Sequence, residues 1–401
     1  MTHPSVLPLS PEMRALLGLL RRRLAPGDAP APLPDLEGVS PEGLARLGRR
    51  HALEGLLLRA LEDLDAPEPR FVEAARAAAL PAVAGNLRRM AELHRVLEVL
   101  AGAGVPVLAL KGPALAVQAY GDVSLRSYSD VDVLVPPTEA RPSVQALLGA
   151  GYGDRRAGSG QGPSPNLWHD WGFTAPDGKT LVELHWSLTS PRRFPAVDSG
   201  EAWQDAGRTD VYVGGVPVPA LAPELLLPLL AIHATAHSWG WLEFPASVAG
   251  LLARTGQELD WDAVLKRVGR WRVRRSLSVA LFMARDLFGE GAAPVPEAAR
   301  RVLLSDTGAR DVARWFASRL LLEPASDWHR GSPALWWQRM RMGDSVADGL
   351  RTGWGLLLSA TPAEWDAAGG PPGGGGLPGR GTMALRRVRR LFRKYRDRRR
   401  R

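Results

Sequence analysis

Two aspartates, Asp130 and Asp132, stand one residue apart in the hydrophobic run "DVDVLV". Aspartate is a poor strand former, and a buried carboxylate without a partner is costly. Side chains alternate along a strand, so both carboxylates lie on one face, with Cα atoms about 6.6 Å apart. This spacing suits one divalent ion, or two ions roughly 4 Å apart as in phosphoryl-transfer sites. We expect Mg²⁺ or Mn²⁺ as the cofactor; an exposed edge strand with a solvated face is the alternative.

Lys111 follows an earlier hydrophobic run, in "ALKGP". The chain has four lysines against 47 arginines, so a lysine here indicates a need for a compact ammonium group. Gly112 permits close approach of the backbone, and the helix predicted after it offers free N–H groups to an anion. The alternative is an ordinary strand–turn–helix junction with its lysine extended along the surface.

Glu183 and His185 alternate with apolar residues in "TLVELHWSL", so they share one face of a predicted strand. A carboxylate on a second strand could complete a three-carboxylate site and act as general base toward an incoming hydroxyl. A surface hairpin with one polar side explains the same pattern.

His233 and His237 lie one turn apart on a predicted helix. A zinc pair is one interpretation, but no glutamate follows His233 and no third ligand is evident. We favour helix packing near the rim of the active site, and we expect His185 at the same rim.

The spacing of apolar residues changes along the chain and indicates which helices and strands position these side chains. Helical spacing covers 1–104, short hydrophobic runs alternate with helical ones over 105–215, and helical spacing returns over 216–366. This order predicts an α+β protein: a mixed-sheet core with helices, flanked by helical N- and C-terminal regions. Residues 367–382 have the composition of a flexible linker.

The net charge of +9 comes from one end of the chain. Residues 386–401 hold eleven Lys/Arg and one Asp, so the other 385 residues sum to −1. The segment 383–401 has apolar residues at helical spacing opposite arginines. It could bind an anionic partner, nucleic acid or lipid, or fold back on the protein.

Composition also limits the class of protein. No cysteine is present, so disulfides and thiolate metal sites are excluded. No apolar run of 18 residues and no signal peptide is evident, so we expect a cytoplasmic protein without a transmembrane segment.

Three stretches together resemble a known family. They are "LALKGPALAVQAYGDVSLRSYSDVDVLV", "LVELHWSL" and "LLLPLLAIHATAHSWGWLEFPASVAGLL". They are similar to the uncharacterised nucleotidyltransferase family (NTP_transf_5 type) of the polymerase-beta-like superfamily, over roughly residues 85–255. The resemblance implies the minimal nucleotidyltransferase fold, an NTP such as ATP as substrate, and a divalent metal.

Carried over by position, the resemblance implies metal ligands at Asp130, Asp132 and Glu183, with Glu183 as base. Lys111 and Gly112 would form the phosphate-binding turn, with Arg126 contacting phosphate. The sequence departs from the superfamily in having Lys-Gly where Gly-Ser is usual, and in a longer spacing from this turn to the aspartates. It also has Ser247 where relatives often carry aspartate.

Three hypotheses about function follow. The leading one is a nucleotidyltransferase that transfers NMP from an NTP to a hydroxyl or phosphate acceptor. The second is a non-catalytic relative that binds a nucleotide or a partner. The third, compatible with the first, is association with nucleic acid through the basic tail.

Overall fold

The computed structural model describes residues 8–25, 32–155, 169–189, 197–322 and 333–358. The predicted linker 367–382 and basic tail 383–401 lie outside these residues. No helix among the described residues is long and apolar enough to cross a membrane.

The described part of the N-terminal region contains four helices, and local sequence signals open the first two. Ser10 and Ser40 cap the first two helices by accepting hydrogen bonds from Met13 N (3.2 Å) and Gly43 N (3.0 Å). A proline follows each serine at the first helical position, where its missing N–H costs nothing. The bounds are α1 Pro11–Leu24, α2 Pro41–Arg50, α3 Glu54–Glu62 and α4 Pro69–Gly102.

The strands of the described residues form one mixed sheet. Their bounds are β1 Leu108–Ala109, β2 Asp130–Leu134, β3 Gly153–Asp154, β4 Asp170–Thr174, β5 Leu181–His185, β6 Arg208–Val213 and β7 Val216–Leu221. The spatial order is β3-β4-β5-β2-β1-β7-β6. Strand β2 runs parallel to β5 and antiparallel to β1, and β4 runs antiparallel to β5. Helices α5 Gly112–Tyr120 and α6 Ala140–Gly149 follow β1 and β2. The predicted α+β class is confirmed.

The central strands β2, β4 and β5 have one apolar and one polar face. The apolar face belongs to a core that packs partly against α4 and α6. Its side chains are at most 1% exposed: Val131, Val133, Trp171, Phe173, Val182 and Leu184. The polar side chains of the three strands therefore all project from the other face.

The C-terminal region is helical. Its helices are α7 Pro223–Ala236, α8 Glu243–Thr255, α9 Trp261–Trp271, α10 Arg274–Phe288, α11 Glu297–Leu303, α12 Thr307–Leu322, α13 Pro333–Met340 and α14 Val346–Leu358. They share a large core with the N-terminal helices. Strand β7 pairs with β1, so the sheet extends to Leu221, six residues past the predicted border at 215. The division into domains stays a prediction.

Candidate active site

The turn after β1 places a lysine beside the aspartate strand. Gly112 has φ +58°, a left-handed conformation that disfavours other residues, and a Cβ there would lie 3.4 Å from Asp130 O. Leu110 N donates to Asp132 O (3.0 Å), which continues the pairing of β1 with β2 up to this turn. The turn therefore brings Lys111 Nζ to 3.4 Å from Asp132 Oδ2.

Asp132 is the best-buried acid of the polar face, with 3% exposure. Burial alone would raise the pKa of this carboxyl, but Lys111 and the hydrogen bond with His185 outweigh burial and hold the pKa well below its ordinary value. Asp132 is therefore an anion that already has two cationic neighbours.

Glu183 faces Asp132 across the parallel pair of β2 and β5. The two residues are direct Cα partners in the register. Oxygens of Asp132 and Glu183 and a nitrogen of His185 all lie within 4.8 Å of one another. The structure thus brings together two of the three predicted carboxylate ligands, with His185 beside them.

Asp130 lies outside this group of three donor atoms, although we predicted it as a metal ligand. Its Cα partner on β5 is Leu181, so it stands one strand repeat away from the Asp132–Glu183 pair. It remains close enough to interact: burial, followed by the charge of Asp132, raises the pKa of Asp130 to about 6. Asp130 is thus the acid of this face whose charge is least compensated.

His185, which we predicted at the rim, lies inside the carboxylate group. Its Nε2 is 2.9 Å from Asp132 Oδ1 and 3.5 Å from Glu183 Oε2. Burial alone would lower the pKa of this imidazole, but the hydrogen bonds to the two carboxylates raise it to about 10. The sequence pattern showed the shared face but not that the longer side chain reaches back to Asp132.

Arg126, expected to contact phosphate, is occupied elsewhere. Its side chain is 8% exposed, and its Nε donates to Glu243 on α8 and, at 3.3 Å, to Ser247 Oγ. Ser247 Oγ also donates to Glu243 Oε1 (2.6 Å). Glu243 therefore supplies an acid at the contact between the sheet region and the C-terminal helices. This contact lies beside Ser247, the position at which relatives often carry aspartate.

His233 and His237 lie side by side at the end of α7, with ring centroids 4.5 Å apart and ring planes tilted by 47°, and both pack against Phe244. Burial, and then the charge of Lys111, keeps the pKa of His233 well below its ordinary value. Among the described residues, neither histidine belongs to a group of three metal-ligating side chains. The packing is that of a rim beside the site.

Arg89 on α4 lies near the site at a position that the sequence did not reveal. Its guanidinium carbon lies 5.9 Å from the Tyr128 ring centroid, and the ring packs where a Cβ on Gly112 would point. The charge of Asp130 is near enough to act on the pKa of Arg89, although burial has the larger effect and lowers it. No salt bridge involving Arg89 occurs in the described part of the chain.

Asp170 was also missed, although the hairpin register could have located it. Residues 174 and 181 pair next to the "PDG" turn, and counting outward places Asp170 opposite His185. Asp170, His169 and His185 form a second group whose donor atoms lie within 4.8 Å of one another.

Comparison with known proteins identifies the family of the chain. The lysine-glycine turn, the Asp-x-Asp strand and the acid on the parallel neighbouring strand all lie within the matched residues. The chain belongs to the uncharacterised nucleotidyltransferase family, whose sequence profile matches residues 37–289. The predicted membership is confirmed. No curated protein matches the chain in sequence.

Two solved structures show a distant likeness. One is the antibiotic-resistance factor ANT(2'')-Ia, with 13% identity, a TM-score of 0.35, and coverage of 47% of this chain and 94% of that protein. The other is an antigenic nucleotidyltransferase-like protein from Paracoccidioides brasiliensis, with 16% identity, a TM-score of 0.31, and coverage of 54% and 96%. Both scores are too low to transfer any property of either protein to this chain.

Proposed function

We propose that the protein is a metal-dependent nucleotidyltransferase that transfers a nucleoside monophosphate from an NTP to a hydroxyl or phosphate acceptor. The observation that carries this proposal is the direct opposition of Asp132 and Glu183 on parallel strands, on the same face as Asp130. Acids converging on one face without an equal number of cations would disfavour folding unless a ligand compensated them.

The donor set fits a divalent ion. Carboxylate oxygens are the ligands that Mg²⁺ and Mn²⁺ prefer, and Asp132 and Glu183 offer them within 4.8 Å of each other. Asp130 would join them, because burial and then the charge of Asp132 raise its pKa, and a bound cation would favour its charged form. A bound ion would neutralise charge that develops on the transferred phosphoryl group.

Lys111, Gly112 and Arg89 would bind the triphosphate. The side chain of Lys111 is 16% exposed, and its amino group lies beside Asp132, where it can also contact a phosphate oxygen. Helix α5 begins at Gly112, directly after Lys111, so the free N–H groups of its first turn could also bind phosphate. We assign Arg89 the phosphate contact expected of Arg126, because Glu243 holds Arg126 inside the protein.

Glu183 would act as the general base. Its side chain is 39% exposed against 3% for Asp132, so it can reach a proton on an incoming acceptor. The acceptor oxygen would attack the α-phosphorus as the bond to the bridging oxygen of the leaving pyrophosphate breaks. The acceptor proton would pass to Glu183.

The test is the double variant Asp130→Asn/Asp132→Asn incubated with each labelled NTP, Mg²⁺ and cell lysate, with nucleotidylated products detected by mass spectrometry. We expect the wild type to give a labelled product and the double variant to give none while keeping its helical circular dichroism. Asp262→Asn, at an exposed position of α9, is the matched control and should retain activity. Equal labelling by the double variant would refute the proposal.

Thermal shift separates this function from nucleotide binding without catalysis. A catalytic site of this kind predicts that an NTP stabilises the protein more with Mg²⁺ than without it. Stabilisation by NTP that is independent of Mg²⁺, together with no labelled product, would favour the binding protein.

A further inference from the structure

We propose a second metal site, of the transition-ion type exemplified by Zn²⁺, formed by His169, Asp170 and His185. It lies beside the carboxylates of the proposed reaction but uses a different set of donors. The inference goes beyond the proposed function and does not depend on nucleotidyl transfer.

The backbone positions of the three ligands are fixed by the sheet. Asp170 and His185 are direct partners in the antiparallel pair of β4 and β5. Trp186 N donates to His169 O at 3.0 Å, which anchors the backbone of His169 in the bend before β4. Ligands held by a ladder of backbone hydrogen bonds keep their spacing whether or not an ion is bound.

The three donor atoms are already near coordination geometry. All lie within 4.8 Å of one another, and the ring centroids of the two histidines are 6.0 Å apart. Tetrahedral binding with Zn–N bonds of about 2.0–2.1 Å brings donors to roughly 3.4 Å. The side chains therefore need to close by little more than about 1 Å, which rotation about χ angles provides.

Exposure of the ligands increases outward. The side chain of His185 is 10% exposed, that of Asp170 is 20%, and that of His169 is 35%. The inner ligand is buried and oriented, whereas the outer ligand can be reached from solvent. This gradient gives an ion a path of entry and leaves space for water as a further ligand.

The environment of His185 is that of a metal-binding histidine. A carboxylate commonly holds one ring nitrogen of such a histidine while the other binds the ion. Here Asp132 Oδ1 lies 2.9 Å from Nε2, so we assign Nδ1 to the ion. Asp132 would thereby contact both sites, as a ligand of one and a support of the other.

The donor types determine which ions are selected. Two imidazoles and one carboxylate suit Zn²⁺, Co²⁺ or Ni²⁺, whereas Mg²⁺ requires oxygen ligands. The two sites should therefore take different ions from a mixture, and Mg²⁺ should not displace Zn²⁺ from the histidine site.

The experiment uses the full chain, free of metal and nucleotide, in excess Mg²⁺. Zn²⁺ binding is followed by calorimetry, and Co²⁺ binding by visible absorption, which reports coordination. We expect one ion per chain, with affinity at least about tenfold weaker in His169→Ala and in Asp170→Asn. His94→Ala and Asp262→Asn are matched controls, remote from the three ligands in sequence, and should bind as the wild type does.

Unchanged Zn²⁺ affinity in both ligand variants would overturn the proposal, and so would complete displacement of Zn²⁺ by Mg²⁺. Circular dichroism checks that each variant is folded, and His169→Gln replaces His169→Ala if the latter is not. Asp130→Asn separates the two proposals: it should lose transfer activity but keep the Zn²⁺ site. A protein that binds Zn²⁺ here but transfers no nucleotide refutes only the proposed function.

Discussion

Two of the buried charge clusters among the described residues differ in their balance of acids and bases. Glu201 is 4% exposed and accepts hydrogen bonds from Arg267 Nε (2.9 Å), Arg270 (3.1 Å) and Trp271 Nε1 (2.8 Å). Its oxygens all face donors on α9. This carboxylate is fully paired within the protein, and nothing about it calls for a ligand.

The cluster on the polar face of the sheet is different. Asp132 has Lys111 and His185, but Asp130 and Glu183 add negative charge that these two groups do not balance. Both clusters are buried carboxylates with cationic neighbours, so burial alone does not distinguish them. The excess of acid over base does, and it indicates where an external cation would bind.

The largest expected difference between the two clusters is the loss of turnover in Glu183→Gln. If Glu183 accepts the proton of the acceptor, turnover should fall by about 10²–10⁴-fold while the melting temperature changes little. The rate of pyrophosphate release with saturating NTP and Mg²⁺ measures this. Glu258→Gln, at an exposed position, is the control. If Glu183→Gln were as active as this control, Glu183 would not be the base.

Glu201→Ala should act on stability instead. Removing the carboxylate leaves Arg267 buried without its partner, so we expect a loss of about 3–5 kcal/mol in the free energy of unfolding. Urea denaturation measures it. Turnover per folded molecule should stay at the wild-type value, and a selective loss of turnover would erase the distinction between the two clusters.

Arg89→Ala tests whether the cationic side of the site extends to α4. Loss of one charge-assisted contact to phosphate should raise KM for the NTP about tenfold. Arg88→Ala is the control, since Arg88 is the exposed neighbour on the same helix. If the two variants have equal KM values, Arg89 does not contact the nucleotide.

The smallest expected effect on stability is that of Asp130→Asn, which should change how the melting temperature depends on pH. The folded protein raises the pKa of Asp130 from 3.8 to about 6, so the folded state holds its proton more tightly than the unfolded state does. Stability is therefore lost as pH rises from about 4 to about 6, and the asparagine variant avoids this loss. In metal-free buffer the variant should melt higher than the wild type at pH 8 and at the same temperature below pH 4.

Asp306→Asn is the control of opposite sign. Burial alone would raise the pKa of Asp306, but the hydrogen bond and charge of Arg275, together with hydrogen bonds from the backbone, outweigh burial and lower it. The Asp306–Arg275 pair stabilises the protein at pH values above the ordinary pKa of aspartate, and this stabilisation is lost in acid. The variant should therefore melt at a lower temperature than the wild type at neutral pH. If Asp130→Asn changed the melting temperature equally at pH 4 and pH 8, the raised pKa of Asp130 would not be the cause of the change.

The part of the site that follows from local pattern could be predicted from the sequence. Alternation along a strand places Asp130 with Asp132 and Glu183 with His185, and the glycine after Lys111 predicts the turn. The α+β class follows from the change of period along the chain. These inferences need only neighbouring residues.

The rest depends on contacts between distant segments. Arg126 looked available because its partner Glu243 is 117 residues away, on a helix whose packing the sequence does not specify. Arg89 gave no local signal because only the tertiary packing of α4 brings it to Tyr128. Asp170 could have been predicted in part, because counting outward from the hairpin turn identifies His185 as its partner.

Helix α4 also connects the N-terminal region to the entrance of the site. The side chain of Asn86 donates to the main-chain carbonyls of Val123 (2.9 Å) and Arg126 (2.7 Å), and Tyr128 OH donates to Asn86 O (3.3 Å). Arg89 lies one turn further along the same helix. A rigid displacement of α4 would therefore carry the loop before Asp130 and the guanidinium together, so the cation and the acid keep their separation under thermal motion. If Arg89 contacts the nucleotide as proposed, this preorganisation would lower the free-energy cost of binding.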